Sequence, residues 1–234
     1  MFLVWDDPEG RTMDLEQSGA GFVTTCWSLI DLARGGTPQQ REQAQNELVR
    51  LYWAPVYSFI RRSGVKREEA AERTQAFFAK VIVGRGLFQR AREDRGSLRG
   101  LMRVALKNFL RDAVRHNRAH GSLLQVPIES IVHEEELLAR HATLTPEELF
   151  ERRWRLAMVA EALARCREHY RQLGKQQHWH LFEARVLRPS LNGGSAPPLA
   201  VAAKEHGFKT PADAAAAVQT VKRRLHALLG ERIE

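Results

Sequence analysis

Three copies of one short pattern, Thr-Pro-x-[Gln/Glu/Asp], constrain the fold of this chain more than any other feature of its sequence. They are TPQQ at Thr37–Gln40, TPEE at Thr145–Glu148 and TPAD at Thr210–Asp213. In each copy the threonine can cap free N–H groups and the proline suits the first helical position. The side chain at the third helical position can reach back to the cap. We therefore predict that helices begin at residues 38, 146 and 211.

Apolar residues recur at helical spacing across most of the chain, and we find no credible alternating strand. Pro55 lies inside the first long helical pattern and is expected to kink it. The predicted helices span residues 38–60, 66–83, 97–118, 146–173 and 178–187, followed by a loop at 188–198 and two closing helices. The predicted fold class is therefore all-α.

Composition divides these helices into two small domains joined by a flexible linker. Residues 119–145 contain glycine, proline and an acidic run with weak periodicity, and a short helix is expected around residues 134–140. This acidic linker is expected to fold back on one domain, to enter a basic channel of a partner, or simply to remain solvated. The predicted organisation is a tail at 1–24, a domain at 25–118, the linker at 119–145 and a domain at 146–234.

The basic balance of the chain favours a polyanionic partner. The 234 residues include 36 Lys and Arg against 28 Asp and Glu, a formal net charge of +8. One basic residue recurs at every fourth position along the third predicted helix and its entry: Arg95, Arg99, Arg103, Lys107, Arg111 and Arg115. Only Asp112 offers a nearby acidic partner within that run. A solvated helix face is the alternative, but a row of like charges favours contact with a phosphate backbone.

The sequence contains no motif typical of a metal-binding, redox, enzymatic or membrane-spanning protein. Cys26 and Cys166 lack metal or redox spacing and are expected to be buried, reduced thiols. The histidines of the His178–His180 segment point apart on a helix, which disfavours metal binding. No nucleophile, Walker or dinucleotide motif is present, and no apolar run is long enough to span a membrane. We expect a cytoplasmic protein that is not an enzyme and uses no metal or cofactor.

Three segments resemble those of the small sigma factors of bacterial RNA polymerase, the extracytoplasmic-function (ECF) group, and the resemblance covers about residue 27 to the end. REEAAERTQAFFAKVI (67–82) is similar to the polymerase-binding helix, and GSLRGLMRVALKNFLRDAVRH (96–116) resembles the helix that melts and reads the −10 element. LAVAAKEHGF (199–208) and TVKRRLHALL (220–229) resemble the helix-turn-helix that reads the −35 element. Arg73 replaces a usual leucine, and about seven residues are inserted before Thr220.

The resemblance implies a sigma factor with a region 2-like and a region 4-like domain. It directs promoter-specific initiation by binding core RNA polymerase and promoter DNA, and an anti-sigma factor is a further partner of such proteins. The implied polymerase-binding residues are Glu69, Glu72, Gln75 and Phe78. The implied −10 residues are Arg99, Arg103, Lys107, Asn108, Arg111 and Arg115. The implied −35 residues are Gln219, Thr220, Lys222, Arg223, Arg224 and His226.

The inserted residues raise a specific structural question. Four consecutive alanines behind a capping threonine favour one long helix from Pro211 to Leu229 over a loop. Such a helix would present Gln219, Lys222, Arg223 and His226 outward, with the base-reading residues at its middle. Three other interpretations stay open: a free-standing helix-turn-helix regulator that does not bind polymerase, an RNA-binding helical protein, and a degenerate sigma paralogue that acts as a decoy.

Overall fold

Helices make up most of the structure. The computed structural model describes residues 4–6, 12–14, 27–84, 86–91, 97–115, 135, 138–139 and 141–230. The first five helices are α1 (Trp27–Gly35), α2 (Pro38–Arg62), α3 (Arg67–Phe77), α4 (Leu87–Arg90) and α5 (Leu98–Arg115). The next five are α6 (Pro146–Gln172), α7 (Gln176–Phe182), α8 (Arg188–Asn192), α9 (Leu199–Glu205) and α10 (Pro211–Gly230). Wider π-helical turns extend α3 over Phe78–Gly84 and α7 over Glu183–Leu187.

All three helix starts predicted from the Thr-Pro pattern are confirmed. The backbone N–H of Gln40 donates to the hydroxyl of Thr37 at 3.3 Å, and the Gln40 side chain accepts from the Thr37 N–H at 2.9 Å. The Thr145 cap of α6 makes the same reciprocal pair with its glutamate at 3.3 and 2.8 Å. At α10, the N–H of Asp213 donates to the Thr210 hydroxyl at 3.1 Å.

Two local predictions are wrong. Val4–Asp6 (β1) and Thr12–Asp14 (β2) pair as a short antiparallel hairpin, although the sequence analysis found no strand. Strands of three residues are too short for alternation to be recognised. The predicted loop at 188–198 begins with α8, because Pro189 occupies an early helical position where its missing N–H costs nothing. Pro55 lies within the continuous α2.

The described helices bury two separate hydrophobic cores, in two compact units. The first unit is Thr24–Met158, and the second is Val159–Ile233 together with Met1–Val23. The first core contains Tyr52, Phe59, Phe77, Phe78 and Phe88, and the second contains Ala162, Cys166, Phe182, Val221 and Leu225.

The boundary between the units falls inside α6. Leu149, Phe150, Trp154 and Met158 are all at most 2% exposed in the first core. Phe150 packs against Tyr52, with ring centroids 6.3 Å apart. The predicted second domain begins at Pro146. In the structure, however, the first half of α6 packs in the first core. The start of α6 is therefore not the start of the second unit, because burial attaches its first turns to the first core.

Candidate nucleic-acid interface

The outer face of α3 carries the residues predicted to bind polymerase, with one exception. Glu69 and Glu72 are exposed, and Gln75 is half-buried. Glu69 accepts a hydrogen bond from Arg73 one turn later at 2.9 Å, so the departure from the family pattern at position 73 makes a local ion pair. This face therefore offers acidic and amide groups to a partner.

Phe78 does not belong to that face. Its side chain is 1% exposed and packs edge-on against Phe77, with ring centroids 5.7 Å apart. A buried ring stabilises the core and cannot contact a partner without local unfolding. The prediction that Phe78 contacts polymerase directly is corrected on this ground.

The basic row on α5 is paired with acidic residues of α6. Nη1 of Arg99 donates to Oε2 of Glu151 at 2.6 Å, and Nη1 of Arg103 lies 3.5 Å from the other oxygen of that carboxylate. Nζ of Lys107 lies 2.6 Å from Oε1 of Glu147. The inference that this row lacks acidic partners is therefore wrong, because it considered only α5 itself.

Arg99 is fully integrated into the first core. Its side chain is 9% exposed, and its guanidinium carbon lies 4.0 Å from the ring centroid of Trp154. A guanidinium between an aromatic face and a carboxylate is held by a cation–π contact and a charge-assisted hydrogen bond. We therefore reassign Arg99 from DNA binding to holding α6 against α5.

The outward face of α5 remains accessible around three residues. Asn108 and Arg111 are exposed, and Nη2 of Arg111 donates to Oδ1 of Asn108 at 2.5 Å. Val104, one turn earlier, is 58% exposed. Arg115 lies in α5, but its side chain is outside the described residues, as is Arg95. An amide, a cation and an exposed apolar side chain can contact a nucleic-acid strand together.

Part of the predicted linker folds back on the first unit, one of the outcomes the sequence left open. Both oxygens of Glu135 accept from the guanidinium of Arg61 at 2.6 and 2.7 Å, and the Tyr57 hydroxyl donates to the same carboxylate at 2.7 Å. Arg62 donates to the backbone carbonyls of Leu138, His141 and Ala142. The hydrogen bonds from Arg61 lower the pKa of Glu135, which is therefore ionised at neutral pH. Residues 119–134 lie outside the described residues.

In the segment predicted to be a helix-turn-helix, α9 is followed by a five-residue turn at 206–210 and then by α10. The N–H of Phe208 donates to Ala203 O at 2.9 Å, and that of Gly207 to Lys204 O at 3.3 Å. These two bonds form a Schellman cap, which requires Gly207 to adopt its φ of +74°. The inserted alanine-rich residues do not lengthen the turn; they form the first turns of α10, as predicted.

The predicted −35 residues divide between the two faces of α10. Gln219, Arg223 and His226 are exposed, and Val218, Val221, Leu225 and Leu228 are buried, as predicted. Thr220 is exposed as well, whereas Lys222 was predicted to face outward and is half-buried. Arg224 is also half-buried, and both Lys222 and Arg224 make contacts inside the chain. Gln219 lies eight residues after the helix start, about 12 Å along the axis.

Arg224 lies close to the second core rather than on the outward face. Burial raises the pKa of the Cys166 thiol to about 11, and the positive charge of Arg224 opposes that rise. Burial also raises the pKa of Tyr170, again opposed by Arg224. Tyr170 stacks on His178 with ring centroids 5.9 Å apart, and Phe208 of the turn packs edge-on against the same imidazole at 5.3 Å. Arg224 therefore lies near enough to Cys166 and Tyr170 to act on their charges, and its part in base reading stays a prediction.

Sequence reasoning missed Glu147 and Glu151, the residues that most change the charge of the α5 face. A signal was present, because these glutamates have the same four-residue spacing as Arg103 and Lys107.

Among the described residues, no group of His, Cys, Asp and Glu could hold a metal ion. No helix within the described ranges is long and apolar enough to cross a membrane. Cys166 is a buried free thiol, as predicted, and Cys26 lies outside the described residues.

The described residues form a mostly helical protein, in whose second unit a short turn joins the consecutive helices α9 and α10. Comparison with family models, with curated proteins and with solved structures finds no match. The functional assignment therefore depends on the geometry of the residues themselves.

Proposed function

We propose that this chain is a sigma factor of the ECF type, which binds core RNA polymerase and directs it to specific promoters. The observation that carries the proposal is the α9–turn–α10 arrangement, in which one long amphipathic helix follows a short capped turn. Its inner side is apolar, and its outer side presents an amide, a hydroxyl and a guanidinium from Gln219, Thr220 and Arg223. These are the groups that hydrogen-bond base edges and phosphates in the major groove.

The long helix changes how such a motif would dock on DNA. Residues at the N-terminus of a recognition helix normally contact the bases. On α10 the first exposed positions are Pro211, Ala212, Asp213 and Ala216, and the longer polar side chains come after them. We propose that the small residues let the helix approach the groove closely, with Gln219 and Arg223 reading the −35 element from its middle.

The first unit supplies the polymerase contact and the −10 contact in this proposal. The exposed carboxylates of α3, Glu69 and Glu72, suit a basic partner surface. The −10 contact in this proposal uses the implied set without Arg99, which is buried: Arg103, Lys107, Asn108, Arg111 and Arg115. As a sigma factor the chain would be no catalyst and would need no cofactor.

The experiment that tests this function is co-elution of the full chain with bacterial core RNA polymerase on a sizing column. Glu72→Lys should reduce co-elution by reversing a charge on the exposed face of α3. Glu42→Lys, which makes the same charge change on an exposed position of α2, should co-elute like the wild type. Phe78 is unsuitable for this test, because replacing a core residue would unfold the first unit.

A free-standing DNA-binding regulator is the second candidate, and one observation favours it. The carboxylates of Glu147 and Glu151 neutralise much of the α5 row, which leaves the helix-turn-helix as the clearest DNA-binding element. A chain that stays apart from polymerase but binds duplex DNA tightly by itself would establish this candidate and exclude the sigma proposal.

A further inference from the structure

The pairing of α5 with α6 is more regular than isolated ion pairs would require. Glu147 and Glu151 lie four residues apart on α6, and Arg103 and Lys107 lie four residues apart on α5. A step of four residues rises about 6 Å along a helix. The two carboxylates therefore form a row that matches the cations, with contacts of 2.6 Å to Lys107 and 3.5 Å to Arg103.

These contacts occupy cations that solvent can still reach. The side chain of Lys107 is 59% exposed and that of Arg103 is 35% exposed, whereas that of Arg99 is 9% exposed. The hydrogen bond from Lys107 lowers the pKa of Glu147, so this carboxylate is charged at neutral pH. Two accessible cations are thus paired with carboxylates, which would compete with phosphates for the same positive charges.

The segment that carries the carboxylates cannot swing away easily. Leu149, Phe150 and Trp154 anchor it in the first core, each at most 1% exposed. Glu147 and Glu151 therefore act on the α5 face through their charge. Solvent can still reach this face, but its positive charge is reduced. Only a competing anion, or loss of the carboxylate charge, would free Arg103 and Lys107.

We propose that Glu147 and Glu151 are an autoinhibitory counter-charge that weakens binding of single-stranded nucleic acid to the outward face of α5 in the isolated chain. Val104, Asn108 and Arg111 lie beside the paired cations on that face. An exposed apolar side chain and an amide suit unstacked bases, which a single strand presents. The inference rests on the DNA contact proposed for α5, but its readout does not involve polymerase.

The test is the affinity of the full chain for a single-stranded DNA oligonucleotide, measured by fluorescence anisotropy at several salt concentrations. The variant is Glu147→Gln with Glu151→Gln, because glutamine keeps the shape and can still accept hydrogen bonds. The matched control is Glu42→Gln with Glu168→Gln, two exposed positions on α2 and on the second half of α6 that change the net charge equally. Circular dichroism melting confirms that each variant is folded.

We expect the variant to bind about 20-fold more tightly than the wild type near 0.1 M salt. Each phosphate contact to a single strand adds about 0.7 to the salt slope, or roughly fivefold in affinity at that salt concentration, and two cations are freed. The slope should steepen by about 1.4 for the variant, and the control should show neither change. Adding Arg111→Gln to the variant should remove much of the gain, which places the binding on α5.

The proposal is overturned if the variant binds no more tightly than the wild type, or if the control gains as much. Should the double variant fail to fold, Glu147→Gln alone serves, since its partner Lys107 is more exposed than Arg103; about fivefold tighter binding is then expected. Failure of polymerase co-elution with a positive result here would reject the sigma proposal and leave the counter-charge standing. Successful co-elution with polymerase, together with no gain in affinity for the variant, would reject only the counter-charge.

Discussion

Replacing Trp154 with alanine tests which unit the first half of α6 stabilises. Trp154 is 1% exposed, and Arg99 lies over its ring at 4.0 Å. Truncating a buried tryptophan lowers the free energy of unfolding by about 3–5 kcal/mol, and losing the cation–π contact adds about 1 kcal/mol. We expect a total loss of about 4–6 kcal/mol in the first unit, a large share of the ~5–15 kcal/mol typical of a domain.

The location of the loss matters as much as its size. Hydrogen exchange followed by mass spectrometry should show faster exchange in α2, α3 and α5, with α10 unchanged, because local stability reports the core that was damaged. Leu156→Ala on the same helix is the control, since Leu156 is 38% exposed and should cost less than about 1 kcal/mol. If α10 loses protection while α2 and α5 keep theirs, the assignment of Pro146–Met158 to the first core is refuted.

Three further predictions follow from buried polar groups. Cys166 should resist alkylation in the native chain at mildly alkaline pH, because its thiol pKa is about 11, and rapid labelling of its peptide in mass spectrometry would contradict this. Burial lowers the pKa of His178, so the unfolded state binds more protons and stability of the second unit should fall below about pH 6.5. Melting at stepped pH measures this, and His178→Phe should flatten the slope. Glu135→Gln should lower the free energy of unfolding by about 1–3 kcal/mol by weakening the Arg61 pair. Because the folded pKa of Glu135 is lowered, its contribution is present above the unfolded value and is lost as pH falls; equal melting curves for variant and wild type would count against the pair.

Local chemistry made the helices predictable. A threonine followed by proline and a polar side chain satisfies free N–H groups within four residues. The helix starts at Thr37, Thr145 and Thr210 can therefore be predicted without any tertiary contact. The buried face of α10 was also predictable, because apolar residues at helical spacing must share one side. The hairpin of Val4–Asp6 and Thr12–Asp14 was not predicted, because strands of three residues are too short to show an alternation of apolar and polar residues.

The candidate site was less predictable than the helices, because its contacts join residues that are far apart in the sequence. Whether a cation is free depends on what packs beside it, and Glu151 meets Arg99 across 52 residues of sequence. No spacing rule within α5 reports that pairing. Phe78 likewise matched a position of the family pattern, yet packing directs its ring into the first core.

The amino-acid sequence by itself determined where the principal helices begin, which of their faces are apolar, and that the inserted residues continue α10. Those properties follow from capping, helical propensity and periodicity, all of which act within a few residues along the chain. The tertiary structure alone decided that α6 is divided between two cores and that its glutamates neutralise the cations of α5. Such outcomes depend on desolvation and charge pairing between distant segments, which exist only after the chain has packed.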